Sequence, residues 1–170
     1  MSWSKSILLM ILLVCLEACG FRPQYAKIGQ SSQGAFDSVY IAQIRNKHGQ
    51  SLHNKLIDFV GVKNQKQTRY TFGVDLQINH REIGFERNLN AVRFEVVVEA
   101  PYTFTDRQNK VSPKKGTCRS SEYYSVSKLQ IFQNISASED APKRGIDVVS
   151  RCLVDRLSIL MSQASEQEKK

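Results

Sequence analysis

Between Asn90 and Asp106 the chain alternates with a period of two: Val92, Phe94, Val96, Val98, Ala100, Tyr102 and Phe104 share one face, and Arg93, Glu95, Glu99 and Thr103 share the other. Successive side chains of a strand point to opposite sides, so this is a strand with one buried and one wet face. Tyr70, Phe72, Val74, Leu76 and Ile78 alternate in the same way with Thr71, Asp75, Gln77 and Asn79. Two such strands close together in sequence pair antiparallel, and the apolar face they share needs a cover. Pro101 has no N–H for a ladder, so an edge position, a bulge or a break is expected where it falls.

Helical spacing supplies the cover. Leu52, Leu56, Phe59 and Val60 fall on one helix face, with Ser51 as N-cap and Gly61 as stop, which predicts a helix of about three turns. Ser138, Glu139, Asp140 and Pro142 have the composition of a helix's first turn, and Ile146, Val149, Leu153, Leu157, Leu160 and Met161 carry an apolar stripe behind them. Val39 and Ile41, with Ile44 nearby, predict a short first strand followed by a turn over Asn46 to Gly49. Arg107 to Arg119 reads as a loop, Ser121 to Phe132 as a fourth, less regular strand, and the charged Ser162 to Lys170 as a fraying end. The expected fold is α+β: a two-layer sandwich, with a four-stranded, mainly antiparallel sheet covered on one face by two helices.

The amino-terminal region does not belong to that sandwich. Lys5 precedes an unbroken apolar run from Ile7 to Leu16, too short for the about 20 residues that cross a bilayer but suited to a secretory signal peptide. The expected organisation is a signal over 1–18, a lipidated terminus and Gln/Ser/Gly-rich tether over 19–35, the α+β domain over 36–164 and a charged tail over 165–170. Export implies an oxidising compartment. Cleavage removes Cys15 and leaves Cys19, Cys118 and Cys152, an odd number that a modified Cys19 would explain. For Cys118 and Cys152, a bridge and two separate buried thiols both fit, because geometry decides between them.

Leu16-Glu17-Ala18-Cys19 resembles the bacterial lipoprotein box, with Glu17 where a small or apolar residue is usual. The resemblance implies a diacylglyceryl and acyl anchor on Cys19, and with Gly20 rather than Asp behind it, the outer membrane. Several acyl chains on one residue hold firmly, since each buried methylene contributes about 0.8 kcal/mol.

Motifs for catalysis are missing from the sequence: there is no Gly-x-Ser-x-Gly, His-Glu-x-x-His, Gly-rich phosphate loop or Cys-x-x-Cys. His48, His53 and His80 lack metal-ligand spacing and read as surface residues, and Asp75, Glu95 and Glu99 as solubilising residues of the wet strand faces. Neither an enzyme nor a metal or other cofactor is expected. Charge is more informative. The chain carries a formal +8, all of which survives loss of Lys5 and Glu17 with the signal. Arg107, Lys110, Lys114, Lys115 and Arg119 surround Asp106 alone, and Lys63, Lys66 and Arg69 stand without an acid. These are either solvated loop residues or, for Lys110, Lys114, Lys115 and Arg119, contacts for a phosphate-bearing partner. No aromatic residues interleave them and the chain reads as exported, so nucleic acid is not the expected partner. Phosphorylated glycolipid is.

Cys19-Gly20-Phe21-Arg22-Pro23 with Tyr25 resembles the mature terminus of the lipopolysaccharide-assembly lipoprotein family LptE, in its alphaproteobacterial form. Gly49-Gln50-Ser51-Leu52-His53-Asn54-Lys55-Leu56, Tyr70-Thr71-Phe72-Gly73-Val74 and Ala141-Pro142-Lys143-Arg144 extend the likeness. The resemblance implies a plug inside the large outer-membrane β-barrel LptD, assisting barrel assembly and the insertion of lipopolysaccharide into the outer leaflet. A free-standing periplasmic lipoprotein that carries a lipid or small ligand, an anchored hydrolase, and a spacer without cargo are the alternatives.

Overall fold

The structure is a computed structural model that describes residue 36 and residues 38–61, 68–85, 91–108, 112–127 and 130–168. The signal segment, Cys19, the tether, Lys63, Lys66 and Lys110 lie outside the described residues. The elements in chain order are β1 (Val39–Ile41), α1 (Asn46–Val60), β2 (Tyr70–Val74), β3 (Gln77–Phe85), β4 (Ala91–Asp106), β5 (Lys114–Ser127) and α2 (Ile131–Glu168).

Five strands form one sheet, open on one face and covered by both helices on the other. β4 is its axis. β5 runs antiparallel along one side, from Ala91 opposite Ser127 to Phe104 opposite Lys114. Along the other side β2 pairs with Tyr102–Asp106, and β3 with Val92–Glu99; the register carries over from β2 into β3 and shifts between Glu82 and Gly84. β1 lies outermost and parallel to β2, with Val39 beside Tyr70. The expected four-stranded sheet is thus four strand lines wide, with one line divided into β2 and β3.

Pro101 explains the division. Asp75 donates its backbone N–H to the Pro101 carbonyl at 3.0 Å. Pro101 has no N–H with which to return the second bond of that pair, so the ladder lapses at Asp75 and Leu76. β4 itself runs unbroken through Pro101. The break expected at the proline is displaced onto its neighbour.

The helices begin earlier than their sequence signals. Asn46 to Gly49, expected as a turn, is the first turn of α1: Arg45 is extended at φ −69° and ψ 158°, and Asn46 takes φ 73°, a left-handed value that Asn tolerates. Gly49 belongs there because a Cβ on it would stand 2.7 Å from Ile44 Cγ2. The stop at Gly61 is as expected, with φ 67° and its N–H on the Ile57 carbonyl at 2.8 Å.

α2 starts at Ile131, not at Ser138, and Pro142 lies inside it. Ile131 and Phe132 are therefore helical and not the end of a strand. An interior proline costs a helix about 3 kcal/mol. Here both flanks are fastened: Asn134 and Ser127 exchange two bonds, Ser127 N to Asn134 Oδ1 at 2.9 Å and Asn134 Nδ2 to Ser127 O at 2.6 Å, and Ala141 and Pro142 are buried. Arg144 then ties the helix to β5 through Glu122 Oε2 at 3.3 Å and the Tyr123 carbonyl at 3.2 Å. At the other end the helix continues to Glu168.

The core lies between the layers. Leu52, Leu56 and Val60 of α1 and Ile146, Val149, Leu153, Leu157, Leu160 and Met161 of α2 pack on Val39, Ile41, Phe72, Val96, Val98, Ala100 and Phe104. Both predicted apolar stripes are buried except at Phe59, which is 52% exposed. Cys118 of β5 and Cys152 of α2 form a disulfide, with S–S 2.03 Å and Cα–Cα 6.1 Å, that bolts the long helix to the sheet.

Candidate functional site

The helix-free face of the sheet carries the ion pairs Arg81–Glu95 and Arg119–Glu99. Strand alternation places Gln77, Asn79 and Arg81 of β3, Arg93, Glu95, Val97 and Glu99 of β4, and Arg119, Ser121 and Tyr123 of β5 on this side, in cross-strand rows. Arg81, Glu95 and Tyr123 form one row. Arg81 Nε is ion-paired with Glu95 Oε2, and Tyr123 Oη donates to Glu95 Oε1 at 3.3 Å. The Arg93 guanidinium stacks over the Tyr123 ring at 5.0 Å. In another row Arg119 Nε meets Glu99 Oε1 at 3.4 Å.

Glu95 is the correction this face makes to the sequence reading. It is 4% exposed, not a solvated residue. The Arg81 guanidinium, assisted by Ser121 and Tyr123, holds its carboxyl below the usual carboxylate range against the opposing effect of burial. Val97 beside it is also buried. The face is polar, but its charges are largely matched to one another.

Of the expected basic loop from Arg107 to Arg119, the part from Lys114 onward is strand and not loop. Lys114, Lys115 and Arg119 are residues of β5, and adjacency in a strand sends Lys114 and Lys115 to opposite sides. Lys114 faces the helices and donates to Gln163 Oε1 at 2.9 Å. Lys115 is exposed on the open face, and Arg119 shares that face in its pair with Glu99. Gly116 lies within the same stretch of β5. It sits beneath Tyr102, whose Oη would be 2.4 Å from a Cβ, so the strand needs a residue without a side chain there.

Arg69 also has a role that its neighbourhood in sequence conceals. It engages Asp106 through Nη2 at 3.2 Å and Nε at 3.4 Å. The acid of one basic stretch therefore neutralises an arginine of the other, and both connections leave the sheet at the end marked by Tyr70 and Asp106.

Among the described residues no group of three or more His, Cys, Asp or Glu side chains could hold a metal. His80 is exposed and edge-on to Tyr124 at 6.3 Å, and His53 is half-buried, with a buried Nδ1 that has no hydrogen-bond partner. No helix of the described residues is long and apolar enough to cross a membrane.

No protein-family model matches the chain, and no curated protein sequence matches it. Solved structures do. A candidate lipoprotein from Caulobacter crescentus CB15 superposes with a TM-score of 0.54 at 18% identity, over 78% of this chain and 96% of that one. The rare lipoprotein B from Shewanella oneidensis gives 0.53 at 7% identity, over 78% and 98%. The fold is the one these two proteins share. At such identities the likeness concerns the backbone fold alone.

Proposed function

We propose that this chain is an outer-membrane lipoprotein, anchored through acyl chains on Cys19, that plugs a barrel of the LptD type and assists transport of lipopolysaccharide into the outer leaflet. The observation that carries the reading is the helix-free sheet face. A wide barrel encloses a polar lumen, so a body that fills it needs a hydrophilic flank whose charges have partners. Arg81 with Glu95, and Arg119 with Glu99, supply that flank. The backbone likeness to rare lipoprotein B and the lipid box at Cys19 agree with it.

The work is mechanical and not catalytic. A close-packed sandwich, cross-linked between β5 and α2, resists compression and holds its flank in one shape. It needs no cofactor beyond the covalent lipid. Lys110, Lys114, Lys115 and Arg119 are the residues proposed to meet the phosphates of lipopolysaccharide, with Lys115 the most accessible described lysine of the set.

The test is purification of the tagged protein from outer membranes in mild detergent. A stoichiometric large β-barrel is expected with it. Repeated absence of such a barrel, under conditions that preserve other barrel complexes, would overturn the proposal.

A further inference from the structure

Among the described strands β5 pairs with β4 alone, so its other flank is an edge of the sheet. In an antiparallel pair both backbone groups of a residue face the same way, and the direction alternates along the strand. Ser127 turns its N–H and its carbonyl away from β4, because the Asn134 side chain takes both. The register with β4 has no shift, so every odd-numbered residue of β5 does the same. The Arg144 bond to the Tyr123 carbonyl agrees with this.

These contacts divide the edge in two. From Tyr123 to Ser127, side chains of α2 stand in for a neighbouring strand, Asn134 at Ser127 and Arg144 at Tyr123. From Lys115 to Ser121, the N–H and carbonyl of Lys115, Thr117, Arg119 and Ser121 point outward with no hydrogen-bond partner among the described residues. All four residues are exposed. The other edges are blunted: β1 has 3 residues, and the register of β3 shifts between Glu82 and Gly84.

Donors and acceptors that recur at every second residue, about 7 Å apart, match the backbone of an extended chain. Charge selects which chain. Residues 112–121 carry Lys114, Lys115 and Arg119 and no acid, and Glu99 offsets only one of these cations. A second copy paired here would set cations against cations. Residues 19–35 of this chain, with Arg22, Lys27 and no acid, are no better matched.

We infer that the β5 edge from Lys115 to Ser121 docks an extended, acid-bearing segment of another protein, which joins the sheet as a strand beyond β5. Main-chain bonds to the four outward residues hold it, and its carboxylates lie beside Lys115 and Arg119. The inference does not depend on the plug reading.

The experiment titrates the full lipidated chain, in detergent micelles, with a synthetic peptide that alternates glutamate and valine, and follows amide exchange by nuclear magnetic resonance. Exchange is expected to slow at Lys115, Thr117, Arg119 and Ser121, whereas Gly116, Cys118 and Ser120, whose N–H groups face β4, are protected before and after. Thr117→Pro deletes an outward N–H and no bond to β4; it should weaken the peptide about tenfold and leave the inner protection intact. Lys115→Glu should weaken it through charge while keeping every backbone bond. Equal affinity for a peptide with lysine in place of glutamate, or undiminished binding by either variant, would overturn the inference. So would outward protection that appears without peptide as the chain is concentrated, the mark of a second copy. In intact cells, a photo-crosslinking residue at position 117 should join the chain to a polypeptide whose crosslinked segment carries acids. Crosslinks to lipid alone, to a segment without acids, or none at all, would also overturn it.

Discussion

Gly145 of α2 lies so close to Val98 of β4 that a Cβ on the glycine would stand 2.5 Å from Val98 Cγ2. This contact sets how near the long helix comes to the sheet. Gly145→Ala raises helix propensity by about 1 kcal/mol but forces overpacking, which costs about 1–3 kcal/mol. The expected sum is a protein destabilised by about 1 kcal/mol. Urea unfolding measures it, and in a double-mutant cycle Gly145→Ala should cost less in a Val98→Ala background than in the parent. Equal stability of Gly145→Ala and the parent would show that α2 can lift from the sheet without cost.

The Cys118–Cys152 bridge closes a sequence separation of 34 residues. In the chain-entropy account a loop of that size stabilises by about 4 kcal/mol. Cys118→Ser with Cys152→Ser, or reduction of the parent, should lower the unfolding free energy by about that amount in guanidinium. The double variant is the cleaner of the two, since it leaves no thiol to react. A loss under about 1 kcal/mol would mean that α2 is held by packing alone.

The parts of this fold that were legible in the sequence are those that depend on local period. Val96, Val98, Ala100 and Phe104 on the even-numbered face of β4, and the stripe from Ile146 to Met161, are buried as their spacing requires. The departures arise where a distant residue overrides the local signal. Glu95 falls on the wet face by period, but Arg81 and Tyr123, 14 and 28 residues away, cover it. Lys114 to Arg119, expected as part of a loop, is strand because it pairs with Glu99 to Phe104 of β4, where Gly116 leaves room for Tyr102. Ser138 to Pro142 resembled a helix start because nothing in that stretch records the bonds between Asn134 and Ser127. The open face followed the same logic: alternation located it, and cross-strand register decided which of its charges are paired.

Glu95 makes stability depend on pH in a definite direction. Its carboxyl titrates below its ordinary value of 4.5 in the fold, chiefly because of Arg81. A depressed folded pKa contributes stability that is present above the unfolded value and is lost as pH falls through the folded one. The parent should therefore exceed Glu95→Gln in stability at neutral pH, and the gap should narrow below about pH 4.5. Chemical denaturation of both proteins between neutral and acidic pH checks this. A gap that persists unchanged at the acid end would assign the effect to hydrogen bonding of the neutral side chain.

The basic residues separate the two readings of the positive charge. Lys110, Lys114 and Lys115 changed together to Gln should weaken lipopolysaccharide binding several-fold and flatten its salt dependence, because charge-assisted bonds to phosphate are the contacts removed. The fold should survive, since Lys115 is exposed and Lys114 loses only its bond to Gln163. Lys115→Gln alone tests the open face, and Lys114→Gln alone tests the side toward α2, as the two point in opposite directions. Isothermal titration with purified lipopolysaccharide at two salt concentrations, with thermal unfolding as the fold control, measures each. If only Lys115→Gln has an effect, the ligand lies across the open face beside Arg119. If the triple variant binds as the parent does, these lysines serve solubility alone, and the acquisition of lipopolysaccharide belongs to the partner.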